Sequence, residues 1–229
     1  MLGGATPRTE DSMNEPIILA IDTSTTNIVL GLSRGAQILC DETLETDQHQ
    51  SKHVLSFIDQ CLKKNGLTPS SIDAFATTTG PGSFTGVRIC LGTMKVLAFS
   101  MNKPLIGIPT LQAMVYPYAT YKTVAPILDA RRDFVYVGTY HHDGKSWTEQ
   151  MAPKMIPTAD LAKEISNEIT LIGHGNAASS LNLGNSKSGR IYGRTLCEIS
   201  LAKWNKKDFE DVNSAEPLYI QKTAAEGYV

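Results

Sequence analysis

The sequence predicts an α/β fold in two lobes, a compact one to about residue 120 and a smaller, irregular one after it. Three observations predict this. Strand-like runs from Ile17 to Thr23, Asn27 to Ser33 and Gln37 to Thr43 are joined by tight turns at Ser24-Thr25-Thr26 and Arg34-Gly35, which makes an antiparallel meander. Val54, Leu55, Ile58, Cys61 and Leu62 then fall at helical spacing. Beyond them, strand-like runs at Asp73 to Thr79 and Leu105 to Ile108 alternate with helical segments. Parallel β-α units added to a meander give a mixed sheet with helices packed on it.

Each element has a local reason. The first helix spans about Ser51 to Asn65, and Gly66 is a fitting stop. In Thr79-Gly80-Pro81-Gly82-Ser83-Phe84-Thr85-Gly86-Val87-Arg88, two glycines around a proline force a sharp turn, and Ser83 is placed to cap the helix that follows. From Val87 to Met101 that helix is apolar almost all round, with Arg88, Thr93, Lys95 and Ser100 as exceptions. A lone surface helix shows one apolar stripe and one wet face. This one is therefore central to the core or shared with another protein. Asn102-Lys103-Pro104 ends it, and Thr110 caps a further helix to about Tyr118. In the second lobe, Ala125 to Asp129 and Phe134 to Tyr140 form a hairpin around Arg131-Arg132-Asp133, with another turn at His141 to Gly144. A short helix (Ala159 to Ile165), a strand (Ile169 to Gly173), a Gly/Ser/Asn-rich loop (Gly173 to Gly189) and a last helix (Leu196 to Lys206) complete the reading. No internal repeat shows beyond the two hairpins. The expected divisions are residues 1–15, a disordered extension or cloning remnant, then lobes over 16–120 and 121–229.

Composition narrows the function. With 229 residues, 41% hydrophobic and 19% charged, the chain buries a sizeable core. A formal charge of −2 argues against a protein that grips nucleic acid alone. Lys203, Lys206 and Lys207, and Lys187, Arg190 and Arg194, read as solvated surface. Cys40, Cys61, Cys90 and Cys197 show no Cys-x-x-Cys spacing, which fits a reducing cytosol and not a zinc site. No apolar run approaches the ~20 residues of a membrane span, and residues 1–15 lack the pattern of a secretory leader.

Few motifs carry chemistry. Asp22, Thr23 and Ser24 end the first strand with a carboxylate and hydroxyls. Such a turn can hold Mg²⁺ and face phosphates, or be a plain Asx turn, which the segment alone favours. The Gly80/Gly82/Gly86 loop is neither a Walker loop, since Val87-Arg88 follow Gly86, nor a dinucleotide fingerprint, since Thr85 stands where glycine is needed. Gly86 instead permits close helix packing, while phosphate cradling stays open because a helix N-terminus attracts anions. His49 and His53 have metal-ligand spacing without a third ligand and read as solvent-facing, as do His141, His142 and His174. No Ser/His/Asp or Cys/His arrangement can be nominated.

The run Ile18 to Ser24, the Gly80-to-Arg88 string, Lys103-Pro104-Leu105-Ile106-Gly107-Ile108 and Ala125 to Arg131, in that order, closely resemble the TsaB (YeaZ) family. The likeness runs from about Ile17 to Tyr140, with a weaker echo at Gly173-His174-Gly175 and Pro217 to Ile220. The resemblance implies a two-lobed actin-like ATPase (ASKHA, ribonuclease H-like) fold with mixed sheets and a reduced second lobe. It implies a cytoplasmic role in making N6-threonylcarbamoyladenosine (t6A) at position 37 of tRNA, as a non-catalytic subunit that stabilises the larger paralogue TsaD. The ATPase TsaE joins the assembly, a homodimer forms when the chain is alone, tRNA is met only indirectly, and no membrane is involved. No cofactor is implied for the chain alone; ATP or ADP with Mg²⁺ at the TsaD interface stays open. The paralogue's His-x-x-x-His metal pair falls here at Thr110 and Met114, neither of which replaces imidazole.

In the family, the helix after the Gly-Pro-Gly turn and the helix before it bundle with a partner. Phe84, Arg88, Leu91 and Lys95 form one stripe on that helix; Val87, Cys90, Met94 and Leu97 form another. Which stripe faces the partner is open. The candidate interface is Gly82, Phe84, Val87, Arg88, Leu91, Met94 and Lys95. The competing reading is a small ATP-binding phosphotransferase or ATPase built on Asp22, Thr23 and Ser24.

Overall fold

The computed structural model describes residues 15–46, 50–174 and 186–220. Residues 1–14 of the extension expected over 1–15, together with His49, Gly175 and most of the Gly/Ser/Asn-rich loop, lie outside the described residues.

The first sheet holds β1 (Ile17–Asp22), β2 (Ile28–Arg34), β3 (Gln37–Leu44), β4 (Ala74–Gly80) and β5 (Leu105–Pro109) in the order β3-β2-β1-β4-β5. β1 pairs antiparallel with β2 and parallel with β4, as the meander and β-α units require. The second sheet holds β6 (Thr123–Asp129), β7 (Phe134–His142), β8 (Trp147–Pro157), β9 (Thr170–His174) and β10 (Ser186–Ser188). Its order, β10-β9-β6-β7-β8, repeats the first sheet strand for strand, with β6 in the place of β1. Two sheets of this topology are the two-lobed actin-like arrangement. The repeat lies in hydrogen-bond pairing and leaves no trace in residue spacing. β8 answers no expected strand: it is an edge strand, with almost every residue half-buried or exposed, and so carries no alternating pattern.

Helices α1 (Gln50–Lys64) and α2 (Phe84–Met101) cover one face of the first sheet. α3 (Thr110–Val115) and α5 (Gly193–Lys206) fill the space between the lobes, and α4 (Leu161–Glu164) lies on the second sheet. β1 is buried on both sides. Ile17, Leu19 and Ile21 pack with Phe57, Cys90 and Met94, whereas Ile18 and Ala20 pack with Leu111, Met114 and Leu196. Such a strand reads as a continuous apolar run.

The chain's last described stretch returns to the first lobe, so part of 121–229 packs elsewhere than expected. α5 lies across β1, β2 and β3. Its start is possible because Gly31 meets Gly193: a Cβ on Gly31 would stand 2.2 Å from the Gly193 carbonyl oxygen. Residues 208–219 then run back along the first lobe. Glu210 N–H donates to the Leu105 carbonyl at 2.9 Å and Leu218 N–H to that of Thr79 at 2.7 Å.

Candidate functional site

Two regions concern function: the turn after β1 and the outer surface of α2.

The turn is a closed structure. Asp22 Oδ1 accepts the Thr78 hydroxyl at 2.6 Å and the Ser24 N–H at 3.0 Å. Thr23 donates its hydroxyl to the Gly86 carbonyl at 2.6 Å, and Ser83 N–H donates to the Ser24 carbonyl at 2.7 Å. This clamps the turn onto the start of α2, which explains the glycines. A Cβ on Gly86 would stand 1.9 Å from Thr23 O, and one on Gly82 2.6 Å from Ser24 O. Ser83 caps α2 as expected, its hydroxyl accepting Gly86 N–H at 3.2 Å.

Asp22, Thr23 and Ser24 are thus buried and do not line the cleft between the lobes, a correction to the phosphate-facing reading. They face inward because Asp22 Oδ1, the Thr23 hydroxyl and the Ser24 backbone are engaged within the turn, by Thr78 and by the start of α2. Burial pushes the Asp22 carboxyl above the usual carboxylate range, against the lowering effect of its bonds to Ser24 and Thr78. Its Oδ2 and the Ser24 hydroxyl have no hydrogen-bond partner. The next residues, Thr25, Thr26 and Asn27, do line the cleft, a space of ≈ 550 Å³ whose opposite wall includes His174, Lys187 and Arg190. His174 Nδ1 lies 2.8 Å from the Gly189 carbonyl, which fixes that nitrogen as the donor.

The outer surface of α2 corrects the proposed interface. Val87, Leu91 and Met94 are 3%, 2% and 0% exposed and belong to the core of their own lobe. They cannot meet a partner, because the sheet occupies that face. Gly82 is taken up by the turn, and Lys95 Nζ donates to the Ala215 carbonyl at 2.7 Å. Phe84 and Arg88 do face outward. The outward stripe continues through Gly92, Val96 and Phe99, with Val96 67% and Phe99 71% exposed. Leu55 on α1, expected at a packed position, is 61% exposed. Sequence reasoning missed Val96 and Phe99 because a helix apolar all round has no period to read, and Leu55 because it adjoins Val54 at the edge of the apolar stripe of α1. The signal present was the third stripe, Thr85, Arg88/Ile89, Gly92, Val96 and Phe99, at spacings of three and four.

By length and mean hydropathy of 1.3, α2 is sufficient to cross a membrane, contrary to the expectation that no run comes close. Here it forms the crossover between parallel strands β4 and β5, with one side sealed into the sheet.

Thr110 and Met114 are fully buried on α3 in the core between the lobes. Among the described residues no group of three or more His, Cys, Asp and Glu stands close enough to hold a metal ion. All four cysteines are free and buried.

The profile of the family described as TsaD, tRNA N6-adenosine threonylcarbamoyltransferase, matches residues 37–179, more than half of the chain. The chain belongs to this family. Within it, the chain stands with the TsaB (YeaZ) proteins. It is 28% identical over 226 residues to the tRNA threonylcarbamoyladenosine biosynthesis protein TsaB of Haemophilus influenzae, covering 91% of this chain and 95% of that one. Its identity to the protein of the same name in Escherichia coli is 27% over 224 residues, covering 91% and 96%. The solved structure of YeaZ from Pseudomonas aeruginosa shares the fold, with a TM-score of 0.77 at 24% identity over 89% of this chain and 99% of that one.

Proposed function

We propose that this TsaB-type chain serves t6A formation in tRNA as a non-catalytic subunit, docking the outer face of α1 and α2 on a TsaD-type transferase in the cytoplasm. The single observation that carries the reading is the exposure of three large apolar side chains, Leu55 on α1 and Val96 and Phe99 on α2, on helices whose other faces pack into their own lobe. A standard interface covers about 800 Å² per side, a size that two helices of this length can supply. The names of the Haemophilus influenzae and Escherichia coli relatives support the pathway.

The transferase's metal pair does not fit this chain. A threonine hydroxyl and a thioether, both sealed between the lobes, offer nothing to a divalent cation that prefers imidazole or carboxylate. Among the described residues no group of three or more His, Cys, Asp and Glu could hold a metal ion in that pair's place, which supports a subunit that presents a surface.

The phosphotransferase reading has one observation in its favour, the cleft edged by Lys187, Arg190 and Thr25. Against it, the start of α2, where phosphate would be cradled, is closed by the chain itself: Ser83, Gly86 and Val87 all donate their N–H groups internally. Calorimetry of the chain with Mg·ATP separates the two readings, since the subunit reading expects no turnover.

Phe99→Glu tests the subunit reading. The variant keeps the wild-type melting temperature, loses co-purification with the transferase of its own organism, and fails to restore t6A in a strain lacking this chain, read by mass spectrometry of tRNA nucleosides. A folded Phe99→Glu variant that binds and restores t6A like the wild type overturns the reading.

A further inference from the structure

We propose that Cys40 on β3 and Cys61 on α1 close into a reversible disulfide when hydrogen peroxide reaches the chain, and that closure draws the second half of α1 towards β3. Nothing in this depends on the docking reading above, because its test reads thiols and not a partner.

The fold brings the two sulfurs to one place. Cys40 is the buried residue of β3, paired with Leu32, and it packs on the face of the first sheet that α1 covers. Cys61 belongs to the buried stripe of α1, in the same core cluster. An ion pair sets the register between the two elements. Glu42 follows Cys40 on the same side of β3, Lys64 follows Cys61 by one helical turn, and Lys64 Nζ stands 3.1 Å from Glu42 Oε1. Two links therefore cross the same gap, a charged one at the rim and a thiol one beneath it. The two thiols interact directly, with Cys61 donating to the Cys40 sulfur. Cys40, on an edge strand, is 7% exposed and Cys61 1%, so a small oxidant meets Cys40 first.

The other two cysteines are placed differently. The Cys90 thiol donates to the Val87 carbonyl at 3.4 Å, Cys197 bonds to Ser33, and burial raises both thiols. The hydrogen bond from Cys61, with the Lys64 ammonium nearby, instead holds the Cys40 thiol below the usual range, against burial and the Glu42 and Asp41 carboxylates. Cys40 is thus the attacking sulfur and Cys61 the resolving one. The Cys40 thiolate attacks a peroxide oxygen and the O–O bond breaks, leaving a sulfenic acid and a hydroxide that takes up the Cys40 proton as water. The Cys61 sulfur then attacks the Cys40 sulfur, the S–O bond breaks, and the hydroxyl leaves with the Cys61 proton as a second water. Two thiols are oxidised to one disulfide and one peroxide is reduced to two waters. A dithiol reverses the bond by two exchanges. An S–S bond of about 2.05 Å is shorter than any contact between thiols, so closing it pulls β3 and α1 together.

The test is a hydrogen peroxide series on the reduced full-length chain, with remaining thiols alkylated in denaturant and every cysteine read by peptide mass spectrometry. The Cys40–Cys61 linked peptide appears at peroxide concentrations about 10-fold or more below those that modify Cys90 or Cys197, and dithiothreitol removes it. In Cys61→Ala, dimedone traps a sulfenic acid on Cys40 at the same dose, whereas in Cys40→Ser, Cys61 stays reduced. Melting curves check that both variants are folded, and the wild-type map needs neither of them. Amide hydrogen exchange in the second half of α1 slows about tenfold in the oxidised chain and recovers with dithiothreitol. A Cys40 that passes to sulfinic acid without a linked peptide overturns the proposal, and so does a link that forms only where Cys90 and Cys197 are also oxidised. Disulfides formed between chains instead of within one also overturn it. A Cys40–Cys61 bond that leaves α1 exchange unchanged overturns the movement of α1.

Discussion

Asp22 and Asp129 end the leading strands of two sheets built in the same order, and they finish in opposite surroundings. Each accepts the N–H of the residue two positions on, Ser24 at 3.0 Å and Arg131 at 2.7 Å, so one Asx device starts both turns. Asp22 is then sealed under the start of α2, with Thr78 beside it. Asp129 stays exposed, and the residues after it, Arg131, Arg132 and Asp133, take positive φ angles of 65°, 52° and 63°. That second turn is held from outside by Thr158, whose N–H and hydroxyl both donate to the Asp133 carbonyl, at 2.8 and 2.9 Å. The same strand-end carboxylate is a core group in one lobe and a surface group in the other. What is laid over the turn decides which.

Breaking the clamp in the first lobe has the largest expected effect. Gly86→Ala places a methyl against the Thr23 carbonyl, a backbone atom that cannot turn aside, and costs about 3 kcal/mol in chemical denaturation. A loss under about 1 kcal/mol would mean the turn floats free of α2, and the contrast between the lobes would dissolve.

Next comes pH. The Asp22 carboxyl is raised by burial, so the stability it contributes is complete below its unfolded-state pKa, near 4, and falls as pH rises through the higher folded value. Asn keeps an acceptor for Thr78 and Ser24 without the buried charge. Asp22→Asn therefore raises the melting temperature at pH 7 to 8, and the gain vanishes in melts near pH 4. Asp129→Asn, at an exposed site, shifts stability by no more than about 0.5 kcal/mol. Equal behaviour of the two variants would erase the distinction.

The smallest effect belongs to the second turn. Thr158→Val removes one of two donors to the Asp133 carbonyl and costs about 1 kcal/mol or less, with the hairpin amides gaining hydrogen exchange.

Much of this was legible in the residues. The Gly-Pro-Gly-Ser turn, the Ser83 cap, the meander and the end of β1 at Asp22 follow from local chemistry, and the Gly80-to-Arg88 string pointed to the family. The interface was legible only in part. Phe84 and Arg88 do face outward, but Val87, Leu91 and Met94 have the same apolar character as Val96 and Phe99 and point the other way. Hydropathy ranks a side chain without saying what stands opposite it. Lys95 looked free and is tied to Ala215, and Tyr219, whose hydroxyl accepts the Arg88 Nε–H at 2.7 Å, drew attention only as a faint echo, because contacts more than a hundred residues long leave no local pattern. β8 escaped for a related reason: an edge strand with little to bury need not alternate.

Sequence by itself determined which segments become strands and helices, where they turn, and that α2 holds more apolar surface than one sheet face can cover. These are short-range consequences of spacing, glycine, proline and capping hydroxyls. Tertiary structure alone decided which side of α2 looks outward, which strand-end aspartate is buried, and that the last described residues return to the first lobe. Burial and pairing belong to two surfaces together, and the second surface comes from chain distant in sequence.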